Sequence, residues 1–383
     1  MNKLSKSLVF LITAILLLSA LAFSFKPVAA NTTYIIESND QGSYNIINGV
    51  TNEVIYTNTN GKQAIENALA QLSPDRTWKE TVILRGNISG VHNVEIPSYT
   101  RIIGEGANLY LDGGTNVFEI PESRNNTVDV EIQGINFIGN SITSNTALQM
   151  YKVVDGSYVG VDNLILKLNR FTNFSVGLYL FSIGTQITGN SFADCQHCII
   201  VANDHGSIIS NNFFILGNRD AATYGLQVLD SERLKIVNND FSANDYEYSV
   251  GIVCDAQFLD SVISGNTFTC ISTAAISFGP TVRPSNYLIY NNVVSDNTFS
   301  DMPNGVALEV GYVTPVDTLS ISGNTFRNIG LVLRVGGGGA SSPSNNILFT
   351  NNIASDIHEL SMFNSHSCGA AVVGNYVNGE WQP

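Results

Sequence analysis

The sequence predicts an all-β solenoid, a fold in which short repeated units stack along one axis. A four-residue phrase, made of a small or turn residue, Asn, any residue and an apolar residue, recurs at least eight times. Successive phrases lie 22 to 31 residues apart, a period typical of repeat architectures. Helix signals are nearly absent after residue 75. The Asn residues of the phrases are Asn190, Asn212, Asn239, Asn266, Asn297, Asn324, Asn352 and Asn375.

Short apolar runs flank each phrase and predict the strands of a repeat. Leu234 and Ile236 alternate with polar residues before one phrase, and a run such as Gly251 to Cys254 follows. Period-two alternation over such short lengths is typical of strands. One repeat is therefore two or three strands joined by turns. It buries its apolar side only by stacking on its neighbours.

The Asn of each phrase is predicted to build a ladder inside the turns. Asn and Gly tolerate the left-handed backbone conformation that a sharp turn between strands requires. Stacked copies would place one amide above the next at roughly 4.8 Å, so each could donate to its neighbour. The apolar residue two positions later is expected to return to the core and stack on its equivalents. We therefore interpret these Asn residues as structural.

An amphipathic helix is predicted ahead of the repeats. Lys62 to Leu72 carries apolar residues at helical spacing, after the Asn60-Gly61 turn and before a stop at Ser73-Pro74. An open solenoid end exposes apolar surface and unpaired strand edges, so we interpret the helix as a cap. The segment Thr33 to Thr57 is rich in strand-forming residues. Residues 31–79 would thus form an N-terminal segment and cap, and residues 80–383 the solenoid.

Residues 1–30 have the features of a secretory signal. Lys3 and Lys6 precede an apolar stretch from Leu8 to Phe23, and Val28-Ala29-Ala30 is a small-residue cleavage site. An uncleaved membrane anchor is the alternative, although the apolar run is short for a span. No later segment is apolar enough to cross a bilayer. The protein is expected to be secreted or on the cell surface.

The repeats resemble the right-handed parallel β-helix superfamily between about residue 80 and residue 378. This resemblance implies about ten coils. It leaves the function open, because the superfamily includes polysaccharide lyases, hydrolases, epimerases, adhesins and surface-layer proteins. Residues 60 to 140 further resemble the first coils of pectate lyases. They share a short helix, a strand and a turn, Ser98 to Gly104, with a second glycine at Gly106.

The pectate-lyase resemblance implies a Ca²⁺ site of carboxylates on a parallel sheet and an Arg base in an Arg-x-Pro-x-x-Arg pattern. The nearest stretch, Arg283 to Asn292, departs from that pattern. Arg283 directly precedes Pro284, and no second Arg follows. The family's Asp-His and His-x-Lys elements have no clear match either.

Outward positions of stacked strands form columns, and one column is a candidate site. Aligning the second run of each repeat gives the outward column Phe181, Ala202, Leu229, Asp255, Gly279, Glu309 and Arg334, with Asp204, His205, Asp230, Glu232 and Arg283 just beyond it. Carboxylates can bind a cation or act as acid and base, and Arg can neutralise a sugar acid. The alternative is that these are solvated charges at strand ends.

The predicted site residues follow from that column. The catalytic candidates are Asp230, Asp255, Glu309 and Arg334; the substrate-binding candidates are His205, Arg283, Tyr248 and Tyr312; and the metal candidates are Asp230 and Asp255. Ca²⁺ is the candidate cofactor.

Composition narrows the partners. The chain has 383 residues with 18 Lys and Arg against 32 Asp and Glu, a net charge of −14, which argues against nucleic acid as a partner. An anionic polysaccharide would need a local basic patch or a bridging cation. The five Cys include Cys195 and Cys198 at metal or redox spacing, but no second pair follows, so core or disulfide roles are favoured.

Two functions remain open. The first is a secreted or cell-surface protein that binds or cleaves a polysaccharide or surface glycan, as a Ca²⁺-assisted lyase or a glycoside hydrolase if it is an enzyme. The second is a non-catalytic structural or adhesive cell-surface module.

Overall fold

The computed structural model describes residues 33–39, 42–217, 222–244, 248–279, 289–311, 316–336, 345–363 and 370–382, apart from the side chains of 141–143, 362–363 and 382. The predicted signal in residues 1–30 and the predicted site residues Arg283 and Tyr312 lie outside the described residues.

The described chain holds one helix, α1 (Gly61–Ala70), among strands numbered in chain order. The N-terminal strands are β1 (Thr33–Ser38), β2 (Tyr44–Asn48), β3 (Val54–Asn58), β4 (Glu80–Val91), β5 (Val94–Glu95), β6 (Thr100–Leu111), β7 (Asn116–Glu119), β8 (Thr127–Val128), β9 (Glu131–Met150), β10 (Lys152–Val154), β11 (Ser157–Val159) and β12 (Val161–Asp162). The central strands are β13 (Ile165–Lys167), β14 (Arg170–Leu180), β15 (Ser182–Ile183), β16 (Gln186–Thr188), β17 (Ser191–Ala193), β18 (His197–Val201), β19 (Asp204–His205), β20 (Ile208–Ser210), β21 (Phe213–Leu216), β22 (Thr223–Glu232), β23 (Lys235–Val237), β24 (Asp240–Ala243) and β25 (Ser249–Leu259). The C-terminal strands are β26 (Val262–Ser264), β27 (Thr267–Thr269), β28 (Ala274–Phe278), β29 (Ile289–Ser295), β30 (Thr298–Val310), β31 (Val316–Ser322), β32 (Thr325–Val335), β33 (Asn345–Thr350), β34 (Ile353–Phe363), β35 (Ala370–Val373), β36 (Asn375–Val377) and β37 (Glu380–Gln382).

Three parallel faces enclose the core of the solenoid. Sheet A contains β13, β16, β20, β23, β26, β29, β31, β33 and β35. Sheet B contains β17, β21, β24, β27, β36 and the first halves of β14, β30, β32 and β34. Sheet C contains β18, β28, the second halves of β14, β30, β32 and β34, and the first halves of β22 and β25. Each coil visits A, B and C in turn, which confirms the predicted parallel β-helix.

The predicted Asn ladder is present at the turn between sheets A and B. The Oδ1 of Asn239 accepts from both the backbone N–H and the Nδ2 of Asn212, each at 3.0 Å. The Nδ2 of Asn239 donates to Asn266 Oδ1 and to the carbonyl of Ile209, each at 2.9 Å. The same pattern links Asn169, Asn190, Asn212, Asn239, Asn266, Asn297, Asn324, Asn352 and Asn375. Every buried amide therefore holds two neighbouring coils in register.

The left-handed turn residue is the one before the ladder Asn. Asn211, Asn238 and Gly265 have φ values of 55°, 55° and 67°. The first position of the phrase thus makes the turn, and the second makes the ladder. The sequence prediction gave both tasks to Asn without separating them.

The apolar position of the phrase builds a stack of phenylalanine rings in the core. Phe214 and Phe241 are 4.5 Å apart between ring centroids with planes 5° apart, and neighbouring pairs are similar. The stack comprises Phe137, Phe171, Phe192, Phe214, Phe241, Phe268, Phe299 and Phe326. Its members are fully buried, as the repeat pattern predicted.

The helix lies at the N-terminal end, as predicted for a cap. The side chain of Asn60 accepts from Gln63 N at 3.0 Å and caps the helix, which ends two residues earlier than predicted. Ile65 and Leu69 are among its buried residues, and the helix packs on β1, β2 and β4. Strands β1 to β3 form the predicted β-rich segment, and β1 pairs in parallel with β4.

We expect Asn239→Ala to lower the free energy of unfolding by about 2–4 kcal/mol, because it leaves two buried donors of Asn212 without an acceptor. The matched control is Asn136→Ala, an exposed Asn that donates to Asn108 at 2.8 Å. This control should cost under about 1 kcal/mol. Denaturant titration of both variants measures the difference. Equal losses would show that the ladder contributes nothing beyond a surface hydrogen bond.

Candidate functional site on the outer face of sheet C

Strand register defines two columns on the outer face of sheet C. The first column contains Gln149, Tyr179, Ile200, Gln227, Val253, Ser277, Glu309 and Arg334. The second column, two residues further along each strand, contains Phe181, Ala202, Leu229, Asp255, Gly279, Gly311 and Gly336.

The predicted single column is therefore wrong at its last two members. Glu309 and Arg334 lie in the first column, whereas Asp255 lies in the second. The alignment failed because Val306 pairs with Ala274, not with Ile276. All three residues nevertheless belong to the outer face of one sheet.

Glu309 and Arg334 form an ion pair on adjacent strands. Arg334 Nη1 donates to Glu309 Oε1 at 3.0 Å, and Ser277 Oγ donates to Glu309 Oε2 at 2.9 Å. The Glu309 side chain is only 15% exposed, whereas that of Arg334 is 35% exposed. Because its two oxygens already have partners, Glu309 is held in place, and the guanidinium keeps an exposed edge.

Asp255 is the centre of a second polar group. It is 4% exposed and accepts from Gln227 Nε2 at 2.9 Å. Burial and then the charge of Asp255 raise the pKa of Tyr224, so the phenol lies close to this carboxylate. The Tyr224 ring stacks on His197 at 4.9 Å between centroids. Burial lowers the pKa of His197, although a hydrogen bond with Gln227 opposes this effect. The lowered pKa favours the neutral imidazole.

Asp230 lies on the strand next to Asp255. A register shift in β22 pairs Val228 with Cys254 but Asp230 with Gln257, so Asp230 sits diagonally across from Asp255. The pKa of Asp230 is raised overall, chiefly by burial. The charge of His205 opposes this rise, and that of Glu232 adds to it. The two carboxylates thus lie on adjacent strands in different settings. Asp255 accepts an amide donor, and Asp230 is half-buried near the charges of His205 and Glu232.

The structure also places the remaining predicted residues. His205 lies beside Glu232, with 3.5 Å between Nδ1 and Oε2, on the side of Asp230. Tyr248 is 60% exposed just ahead of β25. Among the described residues, no group of three or more His, Cys, Asp or Glu side chains could hold a metal ion.

Asp204 does not face the predicted column. It is fully buried at the turn after sheet C, where Ser182 Oγ donates to its Oδ1 at 2.7 Å and the hydroxyl of Ser207 donates to the same atom. Ser231 Oγ donates to its Oδ2 at 3.4 Å. Asp204 therefore ties three successive coils together and belongs to the interior.

Sequence reasoning missed Gln227, Tyr224 and His197. Period-two alternation marked Gln227 as outward, and that signal could have placed it beside Asp255. Stacking of His197 on Tyr224 needs the register between β18 and β22, which the runs alone do not provide. Cys195, Cys198 and Cys254 are buried thiols, in keeping with core roles.

The buried Asp204 predicts a pH effect on stability. Burial raises the pKa of Asp204 above the ordinary value of Asp, although hydrogen bonds from Ser207, Ser182 and Ser231 oppose the rise. Between the ordinary and the raised pKa, the folded state therefore binds more protons than the unfolded state. This contribution to stability is present below the ordinary pKa of Asp and is lost as pH rises through the raised one. Denaturant titration across pH should show Asp204→Asn losing that dependence, with Asp260→Asn, at an exposed turn, as control. If the free energy of unfolding of Asp204→Asn changed with pH as steeply as that of the native protein, the prediction would be contradicted.

Comparisons with known proteins agree with the fold. Residues 177–377, more than half of the chain, match the family model described as "Right handed beta helix region", and the chain belongs to that family. A sequence search of curated proteins found no match.

Three solved structures resemble this chain in fold. The catalytic unit of a thermostable GH87 alpha-1,3-glucanase from Streptomyces thermodiastaticus strain HF3-3 is 14% identical with a TM-score of 0.60, covering 93% of this chain and 70% of that one. The mannuronan C-5 epimerase AlgE6 A-module of Azotobacter vinelandii is 11% identical with a TM-score of 0.52, covering 83% and 95%. The DFA-IIIase of Arthrobacter chlorophenolicus A6, without its lid and in complex with GF2, is 14% identical with a TM-score of 0.52, covering 83% and 94%. Helix α1, which is the one helix among the described residues, lacks the length and apolar character of a membrane span.

Proposed function

We propose that the protein binds a polysaccharide along the outer face of sheet C and cleaves it with Asp230 and Asp255. The observation that carries this proposal is that these two carboxyl groups lie on adjacent strands, offset by two residues in register, in unlike environments. Carboxyl pairs with unlike environments are the usual way in which one site supplies both an acid and a base.

Asp230 is the proposed proton donor. Its raised pKa keeps the proton to higher pH than an ordinary Asp, which suits protonation of a leaving sugar oxygen. Asp255 is the proposed base or nucleophile, held by Gln227 and lined on one side by Tyr224. The exposed edge of Arg334 is the proposed anchor for a sugar further along the chain.

A cation would alter this chemistry at the same pair. Ca²⁺ takes six to eight oxygen ligands, about twice what two carboxylates provide, so a sugar acid and water would have to supply the rest. In that case the pair would bind the cation. Cleavage by β-elimination would then need a separate base to take the proton next to the sugar carboxylate, and its product would carry an unsaturated uronate. Secretion or display at the cell surface, proposed from the signal in residues 1–30, would give access to such polymers.

We expect Asp255→Asn and Asp230→Asn each to lower kcat by roughly 10²–10⁴-fold, because each removes a proton-transferring or attacking group. Binding of the polymer should remain. In the native protein, kcat/KM should fall as pH rises through the raised pKa of Asp230, since the acid then loses its proton. Reducing-end release and absorbance of unsaturated products, each with Ca²⁺ and with chelator, measure turnover on neutral and acidic polysaccharides.

The control is Glu105→Gln, which removes an exposed carboxylate that pairs with Arg85 and lies far in sequence from Asp230 and Asp255. It should leave turnover unchanged. Full activity in both Asp variants would refute the assignment. Binding of a glycan with no turnover in the native protein would instead favour a non-catalytic adhesive or structural surface module.

A further inference from the structure

A cluster of aromatic side chains lies on the outer face of sheet C, which also carries Asp255, several strands away from that residue. Tyr151 and Tyr179 are 4.3 Å apart between ring centroids, and Tyr158 and Phe181 are 5.9 Å apart with planes 18° from parallel. Tyr151 and Tyr158 connect these pairs at 6.4 Å. We call Tyr151, Tyr158, Tyr179 and Phe181 the aromatic platform.

The aromatic platform lies in both columns of sheet C. Tyr179 is in the first column, two strands from Gln227, or roughly 10 Å at the spacing of strands. Phe181 is in the second column, three strands from Asp255, or roughly 14 Å. A chain that lies across the strands of sheet C and reaches Asp255 would therefore also meet the platform.

A hairpin that is not part of the repeat supplies the most exposed ring. Strands β10 and β11 pair only with each other among the described strands and carry Tyr158, which is 65% exposed. Lys152 anchors the hairpin by donating to Glu95 at 3.0 Å and by pairing with Glu119 at 3.1 Å. Gly160, the residue after the hairpin, packs so closely on Phe181 that a Cβ at this position would collide with Phe181.

The rings of the aromatic platform differ in how deeply they are buried. Tyr179 is half-buried, and burial, followed by the effect of Tyr151, raises its pKa to about 12. Tyr158 is anchored through the hairpin yet leaves most of its surface in water. A fixed, exposed ring on a supported hairpin is more than core packing requires.

We propose that the aromatic platform is a subsite that stacks an uncharged pyranose ring of the polysaccharide proposed above. One face of a pyranose ring presents C–H bonds, which are attracted to the electron-rich face of an aromatic ring. The charged side chains beside the hairpin favour a neutral sugar over a negatively charged uronate. Glu95 and Glu119 share the single cation Lys152, which leaves this end of the face with a net negative charge.

The test measures retention of the full-length protein by soluble neutral polysaccharides built of pyranose rings, namely an α-glucan, a β-glucan and a mannan, with polygalacturonate as the acidic comparison. Affinity electrophoresis gives the dissociation constant. Tyr158→Ala should weaken binding of the preferred neutral polymer by about tenfold, and Tyr158→Phe should bind like the native protein. Tyr56→Ala, at a 46% exposed tyrosine of β3, is the matched control and should change nothing.

The outcomes separate this inference from the proposed function on which it rests. Native binding of neutral polymers that Tyr158→Ala leaves unchanged overturns the platform, even if the Asp variants lose turnover as expected. Retention by polygalacturonate alone, or by no neutral polymer, overturns it as well. Weakened binding in Tyr158→Ala, with activity retained in Asp230→Asn and Asp255→Asn, supports the platform and refutes the cleavage site.

Discussion

The hydrogen-bonded Asn ladder is the interaction on which the rest of the structure depends. The side-chain oxygen of Asn239, like the others along the ladder, takes two donors from the coil before it, and its Nδ2 also donates to a backbone carbonyl of that same preceding coil. A slip of one residue would break these contacts and also turn every strand side chain to the opposite face. The ladder and the phenylalanine stack beside it therefore set both the spacing of the coils and their register.

Register converts a repetitive sequence into a specific surface. Glu309, Arg334 and Ser277 are far apart in sequence, yet they meet because their strands are held in fixed alignment. Asp230 and Asp255 lie on adjacent strands at a local exception, since a register shift after Val228 pairs Asp230 with Gln257 instead of Ala256. The scaffold does not require these outward side chains, so the polar face can vary while the coils stay intact. Function on such a fold has to be argued from the face, not from the repeat.

Much of the fold followed from local patterns. The Asn spacing predicted the ladder, the apolar position predicted the Phe stack, and the pattern from Lys62 onward predicted the cap. These features are predictable because each repeat carries the same short-range signal. The family resemblance added the handedness of the coils.

The site was less predictable because it depends on small departures from the repeat. Val306 was aligned with Ile276, since a run that begins with two alanines conceals its true start at Ala274. Asp204 was expected near the site, but the bend after sheet C turns it inward to three serines. The hairpin that carries Tyr158 interrupts the period and gave no repeat signal. Shifts, bends and insertions each change which face a residue occupies, and none changes composition.

The most direct test of the account is a crystal structure of full-length Asp230→Asn protein soaked with a fragment of whichever polysaccharide the protein retains. The account predicts an oligosaccharide lying across the strands of sheet C, with a glycosidic oxygen near residues 230 and 255 and a sugar ring against Tyr158. A ligand bound on sheet A, on sheet B or beside helix α1, with sheet C bare, would contradict it.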